Sequence, residues 1–247
     1  AAGYSHTVAV RNDGTLWTWG NNDEGQLGNS TPAAINIPTK MGTANNWKTA
    51  AAGWGHTVAL KTDGTLWAWG YGRLGQLGNG NYKTNFNITQ QIGTANDWQT
   101  ISAGHGHTVA LKNDGTLWAW GNNFSGQVGN GTSFDRNIPT KIGSDSNWQS
   151  IAAGGLHTIA LKKDGTLWAW GKNTYGTLGD GTTTNSRAPK QIGTDTNWKT
   201  IAAGSDHTIA IKKDGSLWIW GKNTNGELGD NTTIDKIVPT QIGTDTD

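Results

Sequence analysis

One phrase returns five times along the chain: HTVAVRNDGTLWTWG at His6, HTVALKTDGTLWAWG at His56, HTVALKNDGTLWAWG at His107, HTIALKKDGTLWAWG at His157 and HTIAIKKDGSLWIWG at His207. A fixed period of about 50 residues marks an array of one supersecondary unit, because each unit buries its apolar face only against its neighbours. A G-x-L-G or G-x-V-G segment follows every phrase (Gly25–Gly28, Gly75–Gly78, Gly126–Gly129, Gly176–Gly179, Gly226–Gly229). Next comes Pro38, Pro139, Pro189 or Pro239, with Thr89 in that place in the second copy. A fourth piece opens at Trp47, Trp98, Trp148 and Trp198. The units read approximately as 1–46, 47–97, 98–147, 148–197 and 198–247 within a single domain.

The alternation in HTVAL and LWAW has the period of two that strands require. Asp-Gly between them supplies the positive φ angles of a tight hairpin turn. Four short strands per unit at this period predict an all-β fold: a β-propeller of four-stranded antiparallel blades in five repeats. Blades are covered on both faces, so tryptophans point one way while Leu66 and Ala68 point the other.

The 247 residues include 37 Gly, 15 Trp and no Cys, which excludes disulfides and thiolate metal sites. With 19 basic and 18 acidic residues, the chain lacks the charge excess that draws polyanions, so nucleic acid is not an expected partner. No apolar run reaches the roughly 18 residues of a membrane-spanning helix, and no membrane insertion is expected. Ala1–Gly3 opens the chain without Met or a signal-like segment, which reads as a processed chain or a fragment.

The joint pattern AG-x-x-HT, DG-x-L-W-x-W-G, G-x-L-G and P-x-x-I-G resembles the repeat of the regulator of chromosome condensation family, its bacterial members especially, over nearly the whole chain. The resemblance implies propellers that typically close seven blades. It also implies roles such as nucleotide exchange on a small GTPase, chromatin docking or, in some bacterial members, capping of β-lactamases. Without a basic tail, the exchange and chromatin roles are disfavoured here. Five units are expected to close as a smaller ring. The alternative is an arc completed by further units or by self-association, because an open end exposes a blade face.

The repeats separate fold from function without any alignment. Residues identical in every copy serve the shared blade; residues that differ are free of it. Every Trp but Trp54 falls at a repeated position, whereas all 4 Tyr and all 3 Phe fall at variable ones. In an antiparallel meander the loops between strands one and two and between strands three and four leave the sheet at the same end. The expected partner-binding set on that end is Tyr4, Trp54, Tyr71, Arg73, Leu74, Tyr82, Phe86, His105, Phe124, Phe134 and Tyr175. Aromatic side chains bury much area at low entropic cost, which suits protein interfaces.

No enzymatic constellation competes with this reading. The five repeated histidines each open a strand beside Thr and read as structural, not as a metal ring. Asp180-Gly181-Thr182 and Asp230-Asn231-Thr232 resemble calcium loops only loosely, lacking a bidentate acid at fixed spacing. Lys162-Lys163 and Lys212-Lys213 read as solvated turn residues. The expectation is a non-catalytic protein-binding propeller without cofactor or metal, at a bacterial surface or outside the cell. The alternatives are a glycan-binding repeat module and a purely structural segment of a larger surface protein.

Overall fold

The computed structural model describes residues 1–82 and 85–244, and the described residues form strands and turns without an α-helix. The first sheet holds β1 (His6–Val10), β2 (Leu16–Gly20) and β3 (Ile35–Lys40), with an isolated Ala2–Thr7 bridge beside β1. The second holds β4 (Trp47–Ala52), β5 (His56–Lys61), β6 (Leu66–Gly70) and β7 (Phe86–Gln91) in that spatial order. The third runs through β8 (Trp98–Ala103), β9 (His107–Lys112), β10 (Leu117–Gly121) and β11 (Arg136–Lys141). The fourth comprises β12 (Trp148–Ala153), β13 (His157–Lys162), β14 (Leu167–Gly171) and β15 (Ser186–Gln191). The fifth comprises β16 (Trp198–Ala203), β17 (His207–Lys212), β18 (Leu217–Gly221) and β19 (Lys236–Ile242). All pairings are antiparallel, as the meander reading requires.

The Asp-Gly hairpin holds the register of the two middle strands. Between β5 and β6 the pairs run unbroken from His56–Gly70 to Leu60–Leu66. Asp63 Oδ1 accepts from the Thr65 amide at 3.0 Å and its hydroxyl at 2.7 Å, and the Thr65 oxygen accepts from Trp67 Nε1 at 3.0 Å. These Thr65 hydrogen bonds hold the Asp63 carboxyl below the ordinary carboxylate range.

Four apolar cores lie between the five sheets. Between the second and third, Val58, Leu60, Leu66 and Ala68 face Trp98, Ala110 and Trp120. Ala59 and Trp69 point the other way, against Val8 and Leu16 of the first sheet. The aliphatic face of each sheet therefore meets the tryptophan face of the next, which explains why both faces of one strand are apolar.

Polar joints repeat across the same seams. His6 Nε2 lies 2.9 Å from Thr57 Oγ1, and His56, His107 and His157 make the same contact with Thr108, Thr158 and Thr208. Thr57 spends its own hydroxyl proton on the Gln26 carbonyl at 2.8 Å, so the histidine must be the donor. Gln26 also accepts from Trp69 Nε1 at 2.9 Å. Burial is the main reason that the His56, His107 and His157 imidazoles are held down to about 3, and His6 to about 4.

Two expectations need correction. Lys162 and Lys212 are buried rather than solvated, each lying over a pair of tryptophans and bonded to Asp145 or Asp195. A long apolar stem lets lysine do this beside a charge partner. Among the described residues the five sheets also do not close a ring: they pack in sequence, and the first and fifth are not packed on each other. Trp19 is consequently half-buried where Trp69, Trp120, Trp170 and Trp220 are fully buried, and Leu217 is 37% exposed where Leu66, Leu117 and Leu167 are sealed.

Candidate functional site

Loop parity places the variable segments together. Backbone hydrogen bonds tie each long loop to the short loop of its own sheet: Asn21 N to Ser5 O, Tyr71 N to Gly55 O, Asn122 N to Gly106 O, Lys172 N to Leu156 O and Lys222 N to Asp206 O. The Asp-Gly turns meet the inter-sheet links at the other end, where Thr62 N donates to Asn46 O and Trp98 N to Gly64 O.

The long loops are built around a buried asparagine. Asn123 Nδ2 donates to Asn130 Oδ1, Thr132 O and Phe134 O, while its Oδ1 accepts from Val128 N. Asn22, Asn173 and Asn223 repeat this hub. In the calcium-like segments, Asp180 and Asp230 serve this network and also accept from Lys190 and Lys236. The second sheet has Gly72 at the hub position.

The expected site residues fall into groups. Tyr4, Trp54 and Tyr71 form a contiguous stack with centroids 6.1 and 5.9 Å apart. Tyr4 is 73% exposed and Trp54 40% exposed. The stack borders a shallow depression of about 240 Å³, which the Ala-Gly ends of the first strands line together with His105 and Ser205. His105 is half-buried, and burial pulls its pKa down, opposed by the charge of Asp206.

A second group sits farther along the long loops. Tyr82 reaches from the second sheet to donate its hydroxyl to Asp135 O at 2.9 Å. Beside it, Phe124 and Phe134 are 84% and 72% exposed and share one groove with Tyr82 and Asp135. Together these exposed rings form one contiguous aromatic patch at the loop end.

Other residues are placed apart from these groups. Phe86 opens β7 and packs against the core between the second and third sheets, so packing accounts for it. Leu74 is half-buried, with a methyl that would lie 3.1 Å from a Cβ at Gly106. Tyr175 is flanked by Lys172 Nζ of its own loop at 5.4 Å and by Lys222 Nζ of the fifth sheet's long loop at 5.8 Å. Arg73 is exposed on the loop tip.

Sequence reasoning missed Glu24. Its stem and the Tyr71 Cβ meet at the same glycine, Gly55, and its carboxylate accepts from Asn85 Nδ2. The signal was its register: Glu24 occupies the loop position held by Leu74, Ser125, Tyr175 and Asn225 in the other copies.

Known proteins share this architecture. The human WBSCR16 structure superposes with a TM-score of 0.88 at 25% identity, covering 98% of this chain and 66% of that one. Prp20p from Saccharomyces cerevisiae, whose structure was described with its binding to Gsp1p and histones, gives 0.87 at 25% identity, covering 98% and 62%. The ultraviolet-B receptor UVR8 of Arabidopsis thaliana is 33% identical over 139 residues, 55% of this chain and 32% of the receptor. The chain thus spans about a third of that curated relative's length. Residues 1–246 match the family model of the RCC1-like domain, and the chain belongs to that family.

Proposed function

We propose that this chain is a non-catalytic protein-binding module that holds its partner on the end carrying the short and long loops. The observation that carries the reading is the gathering of Tyr4, Trp54 and Tyr71 in one stack and of Tyr82, Phe124 and Phe134 in one groove at that end. Rigid aromatic anchors surrounded by polar loops are what protein interfaces use for most of their binding energy. The binding described for Prp20p, to Gsp1p and histones, supports a protein as the partner class. A repeated sugar site would need like loops in every sheet, and both aromatic groups are confined to the first three. A bacterial surface or secreted setting belongs to the same reading.

The test is capture of a partner from extracts of the source organism by the wild type and by the triple variant Trp54→Ala, Tyr82→Ala, Phe124→Ala. The expected outcome is loss of at least about 90% of the captured partner, since each hot-spot anchor is worth about 2 kcal/mol or more. Lys163→Ala, on the turn at the opposite end, should leave capture unchanged. Retention by the triple variant together with loss in Lys163→Ala would move the site to the other end.

A further inference from the structure

The protein builds seats for its own lysines at the turn end of its sheets. Lys112 Nζ lies 4.9 Å from the ring centre of Trp98, 4.8 Å from that of Trp118, and 3.0 Å from Asp97. Lys162 lies over Trp148 and Trp168, 2.7 Å from Asp145, and Lys212 over Trp198 and Trp218, 2.7 Å from Asp195. Beneath each lysine the two rings stand edge to face, with centroids 5.8 Å apart at 79°, 78° and 80°. The physical logic is common to all three: two ring faces offer negative quadrupole, and a carboxylate completes the charge balance.

An edge-to-face aromatic pair recurs at the loop end without a lysine, and the nearby Glu24 carboxylate accepts from Asn85 Nδ2. Trp54 and Tyr71 stand edge to face, 5.9 Å apart at 75°, with Tyr4 extending the aromatic surface. Glu24 lies against Gly55 beside Tyr71, and Asp23 precedes it. Among the described residues, no cation lies over Tyr4, Trp54 or Tyr71, and neither Asp23 nor Glu24 makes an ion pair.

Tyr71 is also there at a cost to the fold. Its equivalents Asn21 and Asn122 accept, through Oδ1, from the Nε2 of the buried Gln26 and Gln127. A tyrosine in that place supplies no such acceptor, and the fully buried Gln76 has its Nε2 unpaired. The same loop has given up its asparagine hub at Gly72. Two departures from a sound structural design, side by side at the aromatic stack, mark a position held for something other than stability.

We propose that Tyr4, Trp54, Tyr71 and Glu24 form a seat for an arginine or lysine side chain of a partner protein. The inference rests on the reading of the loop end as a protein-binding surface and names the chemistry that the surface selects.

The test is panning of a displayed random-peptide library against the chain, followed by fluorescence anisotropy on a labelled peptide from the enriched pool. Arginine- or lysine-bearing peptides are expected to be enriched. Trp54→Ala should weaken the selected peptide about tenfold or more and Glu24→Gln severalfold, and replacing its cationic residue by norleucine should do the same. Tyr71→Asn should weaken binding yet raise Tm by about 2–4 °C, because it restores an acceptor to Gln76. Enrichment of apolar peptides that are lost in Trp54→Ala but indifferent to Glu24→Gln would overturn the cation seat and leave the protein-binding face standing. Basic peptides indifferent to Trp54→Ala would also overturn the seat. Enrichment of no peptide would overturn the seat and count against the face.

Discussion

Gly78 and Gly93 both hold positive φ angles, 75° and 63°, but a methyl group would meet very different surroundings at the two. At Gly78 it would come within 2.7 Å of the Trp120 indole nitrogen; at Gly93 nothing lies within 4 Å. Gly93→Ala is expected to cost about 1–2 kcal/mol, the backbone penalty alone. Gly78→Ala should cost about 3 kcal/mol or more, because strain in a packed seam is added. Urea denaturation of the two variants separates the contributions. The repeated G-x-L-G was legible in the sequence as part of the blade, but its reason was not, since the crowding indole comes from the next sheet. Trp54 and Tyr4 were legible as exposed because they break the repeat. Phe86 breaks it too, yet it opens a strand and turns inward, and variability alone cannot distinguish those two fates. Glu24 was missed because an acid in a loop reads as solvated until its neighbours are placed.

Strands join through their histidines, and this makes the seams between sheets sensitive to acid. An unfolded histidine titrates near 6.5, whereas His56, His107 and His157 are held to about 3 and His6 to about 4 by burial. Below pH 6.5 the unfolded chain therefore takes up protons that the folded chain refuses. Stability is full above about pH 7 and falls as the pH drops through 6.5 toward the folded values. At pH 5 each of the four histidines is expected to subtract about 2 kcal/mol. Denaturation curves at pH 7.5 and pH 5 measure the loss, and His107→Gln should remove roughly a quarter of it. Glutamine can still donate to Thr158 but does not titrate. The sequence reads the histidines as structural members beside threonine; that the threonine each one meets belongs to the neighbouring sheet is a tertiary fact.

Position in the array decides what an identical residue is worth. Leu117 and Leu217 occupy the same place in the repeat, but Leu117 is sealed between two sheets and Leu217 is 37% exposed on the last. Leu117→Ala is expected to cost about 2–5 kcal/mol and Leu217→Ala less than about 1.5 kcal/mol, as thermal or urea unfolding would measure. The sequence by itself determined the repeat, the strand count and the end at which the loops emerge, because a period of two, an Asp-Gly hairpin and antiparallel order are local properties that a one-dimensional pattern carries. Only the tertiary structure decided whether the five sheets close. That depends on the angle between consecutive sheets, and no periodicity encodes an angle. It also decided which aromatics meet: Tyr4 and Trp54 are about fifty residues apart in the chain, and only the stacking of their two sheets brings their rings to 6.1 Å.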